Sequence, residues 1–311
     1  MKTALGLAAA LLIAPFASWG DDAWHPSKYG ADDTLGAINN LSPEKVVAAA
    51  GLVKTGKVYR LGVTTGADSP AYPPRQYAMT ILQLDDGTGT PLGINRATGN
   101  DDLMMLWMGI GSQIDGLGHM GIDHVYYNGN RAQDFVVPTG LTKLSIHELP
   151  PIVSRGVLLD MAKLAGQSPM PEGMAFNRKE IMAAQAAQGV EIEPGDVVLF
   201  HTGWLNVMDA DPERFMGGQP GLGVDGARYL AELGVVAIGA DTWALEVLPP
   251  EDPEQAFPVH PELLAKNGVY ILENMDTREL AADGAAEFLF VLGVPRFEGA
   301  VQAVINPVAI R

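Results

Sequence analysis

The chain has 311 residues, with 37 acidic against 20 basic side chains, a net charge of −17 at pH 7 and no cysteine. That charge argues against nucleic acid and anionic lipid as partners. The missing thiols exclude disulfides and thiolate ligands or nucleophiles, so any metal must take His, carboxylate, amide or water as ligands.

The first twenty residues stand apart. Lys2 precedes an apolar run from Ala4 to Ala14, and Ser18 and Gly20 supply small residues at its end. The run is too short to span a bilayer, and the pattern is that of a secretory signal peptide cleaved after Gly20. The expected product is a periplasmic or secreted protein. The remainder, 21–311, shows no linker, repeat or second membrane-length segment and is expected to form one domain.

Trp24-His25-Pro26 and Asp32 to Asn40 form an irregular entry rich in turn formers. Ser42 is an N-cap with Pro43 at the first helical position, predicting a helix to about Leu52. Lys57–Leu61 reads as a strand. Tyr72-Pro73-Pro74-Arg75 is expected to cover the core more than to line a pocket. Tyr77–Leu84 and Leu103–Asp115 read as strands joined by a polar loop, with Leu103–Met108 apolar enough to be buried.

Gly111-Ser112-Gln113-Ile114-Asp115-Gly116-Leu117-Gly118-His119 ends that second strand. Gln113 and Asp115 share a face, and Gly111 on the same face would leave room for an approaching group. Gly116 and Gly118 let the chain turn, so that His119 folds back toward the carboxylate. A carboxylate, an amide and an imidazole gathered there suit a metal ion and a base; alternatively, Asp115 caps a turn and His119 lies at the surface. Asp123-His124 precedes a Tyr-Asn-Gly turn, and His124 either orients His119 or is simply exposed.

Strands are expected from Gly156 to Met161, Val197 to Phe200 and Val235 to Gly239. Helices are expected over 178–188, capped by Asn177 and stopped by Gly189, and over 224–233, stopped by Gly234. His201-Thr202-Gly203-Trp204 emerges at the end of a buried strand, where α/β proteins place their chemistry, so His201, Thr202 and Trp204 are candidates for a pocket lining. After a Pro- and Glu-rich loop, Glu246–Pro258, His260-Pro261 opens a short helix that Asn267-Gly268 closes, and Val269–Glu273 returns as a strand. The helical arm advances about 10 Å and the strand returns roughly 13 Å, so His260 and Glu273 can end level with one another.

The central stretch resembles the signature of the metal-dependent cyclase/hydrolase family that includes kynurenine formamidase and isatin hydrolase: His, any, Gly, Thr, His, any, Asp, any, Pro, any, His. Gly111, Asp115 and His119 match it, and Ser112 stands for Thr. Gly109 replaces the first His, Gln113 the second and Leu117 the Pro. The chain looks like a branch with Gln followed by Asp-Gly-Leu and His. The family pattern also has a His and, about a dozen residues later, a metal-binding Glu, which His260 and Glu273 match in type and context.

The resemblance implies an α/β fold with a mixed central sheet flanked by helices, of the swivelling β/β/α type. It implies one divalent ion (Mn, Zn or Mg) held by Gln113, Asp115, His260 and Glu273, with His119 as general base. The reaction expected from it is hydrolysis of an amide C–N bond in a cyclic amide or N-formyl substrate. Family members assemble as dimers or tetramers, so a homo-oligomer acting on a small molecule is expected. A lactonase or a dehydratase-type lyase would use the same residues, and a non-catalytic periplasmic binding protein would explain the missing imidazoles.

Overall fold

The computed structural model describes residues 24–83 and 89–311. The leader assigned to residues 1–20, and part of the loop after Tyr77–Leu84, lie outside the described residues. Among the described residues no helix is long and apolar enough to cross a membrane.

A nine-stranded mixed sheet forms the centre. Its strands in chain order are β1 (Val58–Arg60), β2 (Gln113–Asp115), β3 (Ile152–Asp160), β4 (Val197–His201), β5 (Ala237–Ala240), β6 (Tyr270–Glu273), β7 (Glu287–Leu292), β8 (Gln302–Val304) and β9 (Val308–Ile310). Across the sheet the order is β1-β9-β7-β3-β4-β5-β6-β2-β8. The middle four, β3 to β6, are parallel. Strands β4, β5 and β6 are buried at every position. That burial is why Val197-Val198-Leu199-Phe200 reads as a continuous apolar run, since a parallel strand is covered on both faces. Toward the other edge β7 alternates buried and half-buried residues, as an antiparallel strand with one wetter face does.

The helices follow local rules. Ser42 Oγ accepts from Lys45 N at 3.2 Å with Pro43 at the first position, and the helix runs Pro43–Ala50. Asn177 and Glu180 form a capping box for Arg178–Gln188, and Gly189 ends it with φ +67°. Val224–Leu233 ends at Gly234 in the same left-handed conformation. These boundaries agree with the sequence reading.

Two expectations fail between residues 100 and 112. Leu103–Asp115 is not one strand: it is Asn100–Leu106, a break, and then Gln113–Asp115. Gly111, at φ +71°, redirects the chain within the break. The first piece is not buried either. It pairs with Tyr77–Gln83 in a two-stranded arm, where Leu103 is 61% and Met105 65% exposed. Met79 and Met104 pair on one face of the arm, and Leu103 lies across from Thr80 on the other, so apolar side chains occupy both faces. Exposed apolar surface of this kind marks association sites. Periodicity cannot tell a strand buried in its own core from one that is apolar on both faces and projects outward.

Phe288 of β7 lies opposite Gly156 of β3, and its ring occupies the space above the glycine. A β-carbon at Gly156 would stand 2.1 Å from the ring, so neither residue can be enlarged independently. Gly156→Ala should therefore destabilise the fold by about 1–3 kcal/mol through overpacking. Urea denaturation would show a lower midpoint with an unchanged m-value, whereas an unshifted midpoint would mean that the ring swings aside freely.

Candidate metal and catalytic site

Three neighbouring strands build the site by register. Gln113 lies opposite Glu273 of β6 and Asp115 opposite Gln302 of β8. Because side chains alternate, these four project from one face while Ile114, Leu272 and Ala303 fill the other, each without exposure. Gln113 Nε2 donates to Asp115 Oδ1 at 3.1 Å and to Glu273 Oε2 at 2.8 Å. Gln302 Nε2 donates to Asp115 Oδ1 at 2.5 Å and lies 3.4 Å from His119 Nε2.

His260 enters from the loop side. It sits buried inside the first turn, Val259–Pro261. A wide π-type turn, Glu262–Asn267, follows and ends at Gly268, with φ +65°, before β6 begins. His260 Nε2 comes within 3.3 Å of Glu273 Oε1 and 3.7 Å of Asp115 Oδ2, so the outgoing helix and returning strand do bring the pair level. Its Nδ1 is bonded to the Glu246 carboxylate, which also accepts from the backbone N–H groups of Val259 and His260 at 3.2 Å each. That contact fixes the tautomer: Nδ1–H is committed to Glu246 and Nε2 is left for the centre.

His119 returns through the Gly116 turn, its N–H bonded to Gly116 O at 2.9 Å. Ligand atoms of Asp115, His119 and His260 all lie within 4.8 Å of one another. Asp115 Oδ2, at this point, is buried without a hydrogen-bond partner, and so is Oε1 of the neighbouring Gln113 amide. A buried, unpaired carboxylate oxygen is costly, and a cation is the partner that relieves it. The donor set therefore fits a divalent ion: the Asp115 carboxylate and the imidazoles of His119 and His260 converge, with Glu273 beside His260 and an orphaned oxygen among them. Gln113 currently turns its NH₂ group toward both carboxylates, and half a turn of that amide would present Oε1 instead.

The electrostatics follow from burial. Glu273 is pushed up to about 7 by desolvation and by the charge of Asp115. Burial alone would lower His260, but its bonds to Glu246 and Glu273 override that and raise it to about 10. His119 is lowered, first by desolvation and also by His260 and Arg75, against the opposing pull of Asp115. A lowered pKa keeps its imidazole neutral and able to accept a proton near pH 7.

Over the site lies a cavity of 190 Å³, lined by Tyr72, Arg75, His119, Trp243, Phe257 and His260 among others. The Tyr72 and Trp243 rings stack at 5.8 Å between centroids, and Phe257 stands edge-on to Trp243 at 6.2 Å. The Tyr72–Arg75 loop thus lines the pocket, contrary to the expected covering role, because Tyr72 finds its partner in Trp243, far along the chain. Gly111 leaves no room for a ligand: a β-carbon there would meet Thr65 Oγ1 at 2.1 Å.

The second-tier residues lie elsewhere. His201 faces Thr277 Oγ1 at 2.8 Å and Asp241 Oδ2 at 3.4 Å and opens on a different depression, beside Asp160 and Ser168. Thr202 donates its N–H and hydroxyl to Asp241, and Trp204 is buried in a cluster with Leu205, Val207 and Phe215. None of the three lines the cavity over His119, since the chemistry gathers at the ends of β2 and β6 and not of β4. His124 is exposed, with φ +62°, in the turn before the short Val125–Arg131 hairpin.

Sequence reasoning missed three participants. Glu246 was signalled by a single charge inside the apolar run Ala244-Leu245-Glu246-Val247-Leu248, which is the pattern of a buried, paired carboxylate. Gln302 had a weaker signal, one polar residue within an apolar strand. Arg75 had none beyond its place in a Pro-rich loop.

The Cyclase family model matches residues 59–247. A crystal structure described as a novel cyclase superposes with a TM-score of 0.83 at 31% identity, covering 93% of this chain and 99% of its own. An isatin hydrolase bound to the product analogue thioisatinate gives 0.62 at 20% identity, covering 86% and 98%. A predicted metal-dependent hydrolase from Bacillus stearothermophilus gives 0.53 at 18% identity, covering 82% and 98%. At these lower identities the likeness is one of fold. No curated protein matches the chain in sequence. The family model spans more than half the chain, and the 31% identical cyclase matches nearly all of it: the chain belongs to the Cyclase family.

Proposed function

We propose that this protein is an enzyme, a metal-dependent hydrolase that cleaves an amide C–N bond, of cyclic amide or N-formyl type, in a small substrate. The observation that carries the reading is the convergence of Asp115, His119 and His260, with Glu273 against His260, around a carboxylate oxygen that has no hydrogen-bond partner. The isatin hydrolase and metal-dependent hydrolase among the structural neighbours support it. So do the aromatic walls, which suit a small ring. Export to the periplasm and assembly into a homo-oligomer belong to the same reading.

Asp115, Glu273 and His260 would hold the ion, with Gln113 joining after its amide turns over. When bound, a divalent ion supplies a Lewis acid that acidifies water and polarises a carbonyl. His119 takes a proton from water and returns it to the leaving nitrogen. Gln302 positions both partners, since its amide reaches Asp115 and His119 together. Glu246 keeps His260 Nε2 directed inward. The rings of Tyr72, Trp243 and Phe257 exclude water and flank the substrate.

These assignments separate by variant. Asp115→Ala and His260→Ala should lose both metal and turnover. His119→Ala should keep most of the metal while kcat falls roughly 10²–10⁴-fold. Metal content and kcat, measured on the same preparations against N-formyl, cyclic amide and lactone substrates, decide it. A fully active His119→Ala would remove the base assignment, and turnover of lactones alone would move the reaction to a C–O bond.

Metal uptake should also depend on pH. Ligands bind metal deprotonated, and both Glu273 and His260 hold protons above their ordinary range in the metal-free protein. Affinity should therefore fall as pH drops through about 7, where Glu273 gains its proton. At pH 8 the His260 proton should still be released on binding, because its raised value of about 10 lies above that pH. Calorimetric titration with Mn²⁺ in buffers of different ionisation enthalpy measures the released protons. Uptake without proton release would place the ion on other groups.

A further inference from the structure

Arg75 is the one cavity residue whose charge the proposed mechanism leaves unused. Its guanidinium is half-buried, and among the described residues it makes a single hydrogen bond, from Nη1 to the carbonyl oxygen of Gly109 at 2.5 Å. Among the described residues no carboxylate forms an ion pair with it, in a chain carrying a net charge of −17. By contrast, Arg155 and Arg278 are each held by two or more carboxylates. Arg75 shares the cavity wall with His119, Glu273 and the three aromatic rings. It is close enough to lower the pKa of both His119 and Glu273.

The position is built. A β-carbon on Gly109 would stand 2.5 Å from Arg75 Nη1 and 2.6 Å from Cζ, so the glycine makes the space that the guanidinium fills. Its carbonyl then holds one edge of the fork. A permanently charged, unpaired guanidinium beside a base and an apolar slot is a recognition group for a carboxylate, which matches its fork geometry.

We propose that Arg75 is the product-carboxylate subsite of this cavity: it holds the carboxylate of the aromatic acid left when water opens a cyclic amide fused to an aromatic ring, the C–N bond breaking and the nitrogen taking the proton. This rests on the hydrolase reading for the identity of the acid, but not for the binding itself. The same contact forms progressively as charge develops on the carbonyl oxygen, so Arg75 also assists turnover. Gly109 is the positioning residue that gives the guanidinium its place.

The test uses benzoate as the ring acid and benzamide as its neutral counterpart, titrated by calorimetry into the full chain kept metal-free with chelator. The parent should prefer benzoate by roughly tenfold or more, the scale of a charge-assisted contact. Arg75→Gln should abolish that preference by weakening benzoate alone, and Arg75→Lys should retain part of it. Gly109→Ala, which leaves the charge but takes its space, should weaken benzoate as well. Unchanged circular dichroism, and unchanged Mn²⁺ uptake measured on separate samples without chelator, would show that the fold and the ligand cluster persist in each variant. A parent without preference for benzoate, or an Arg75→Gln variant that keeps it, overturns the proposal. A chain that binds no metal but shows the Arg75-dependent preference would sink the metal-dependent reading and leave the carboxylate subsite standing.

Discussion

Three carboxylates, those of Asp115, Glu246 and Glu273, are buried around the single imidazole of His260. Fully ionised, they would leave a net charge of −2 on the group even with His260 protonated, a charge that the apolar surroundings cannot solvate. The metal-free protein relieves it with protons, which is why both Glu273 and His260 are displaced upward. A divalent cation relieves the same excess without them. Most of the structure around the site serves this constraint. Strands β6, β2 and β8 set the register that aligns the carboxylates, and the amides of Gln113 and Gln302 donate into them. The backbone N–H groups of the His260 turn anchor Glu246.

The parts of the site legible in the sequence are those where chain geometry is local. Gln113 and Asp115 alternate on one strand, and His119 follows through a glycine turn of known reach. His260 and Glu273 are joined by one helical excursion and one strand, whose lengths can be added. The parts that were not legible depend on pairings between distant segments. Glu246 reaches His260 because a long loop folds back, and Gln302 reaches Asp115 because β8 chooses the edge of β2. No periodicity encodes either choice. His201 misled for a related reason. The end of a buried parallel strand is a good general place for chemistry, but a sheet with four such strands offers several ends, and strand order decides which one is used.

The α/β fold with a mixed central sheet that the resemblance implies is the one observed, and the helix ends were read from caps and left-handed glycines, which act within a few residues. The apolar arm was misread because burial is a tertiary property. Tyr77–Gln83 and Leu103–Leu106 are apolar enough for core strands, yet among the described residues the two strands of the arm pair only with each other. A lone hairpin of this kind gains little from its own hydrogen bonds, so its apolar faces are the source of whatever further stability it finds.

The two departures from the family motif that remove imidazoles take on a common meaning in three dimensions. With Gly109 and Gln113 in place of imidazoles, the cavity loses two groups that are neutral when they bind a metal. In the space beside Gly109 it gains a guanidinium, which can neither lose its proton nor coordinate. A fixed positive charge there repels a second cation but leaves the buried carboxylate group, on the sheet face below, able to hold one. The same charge attracts an anion toward His119. The cavity thus carries a permanent cation where the motif would place ligand capacity, in one lining with His119 and the buried Glu273.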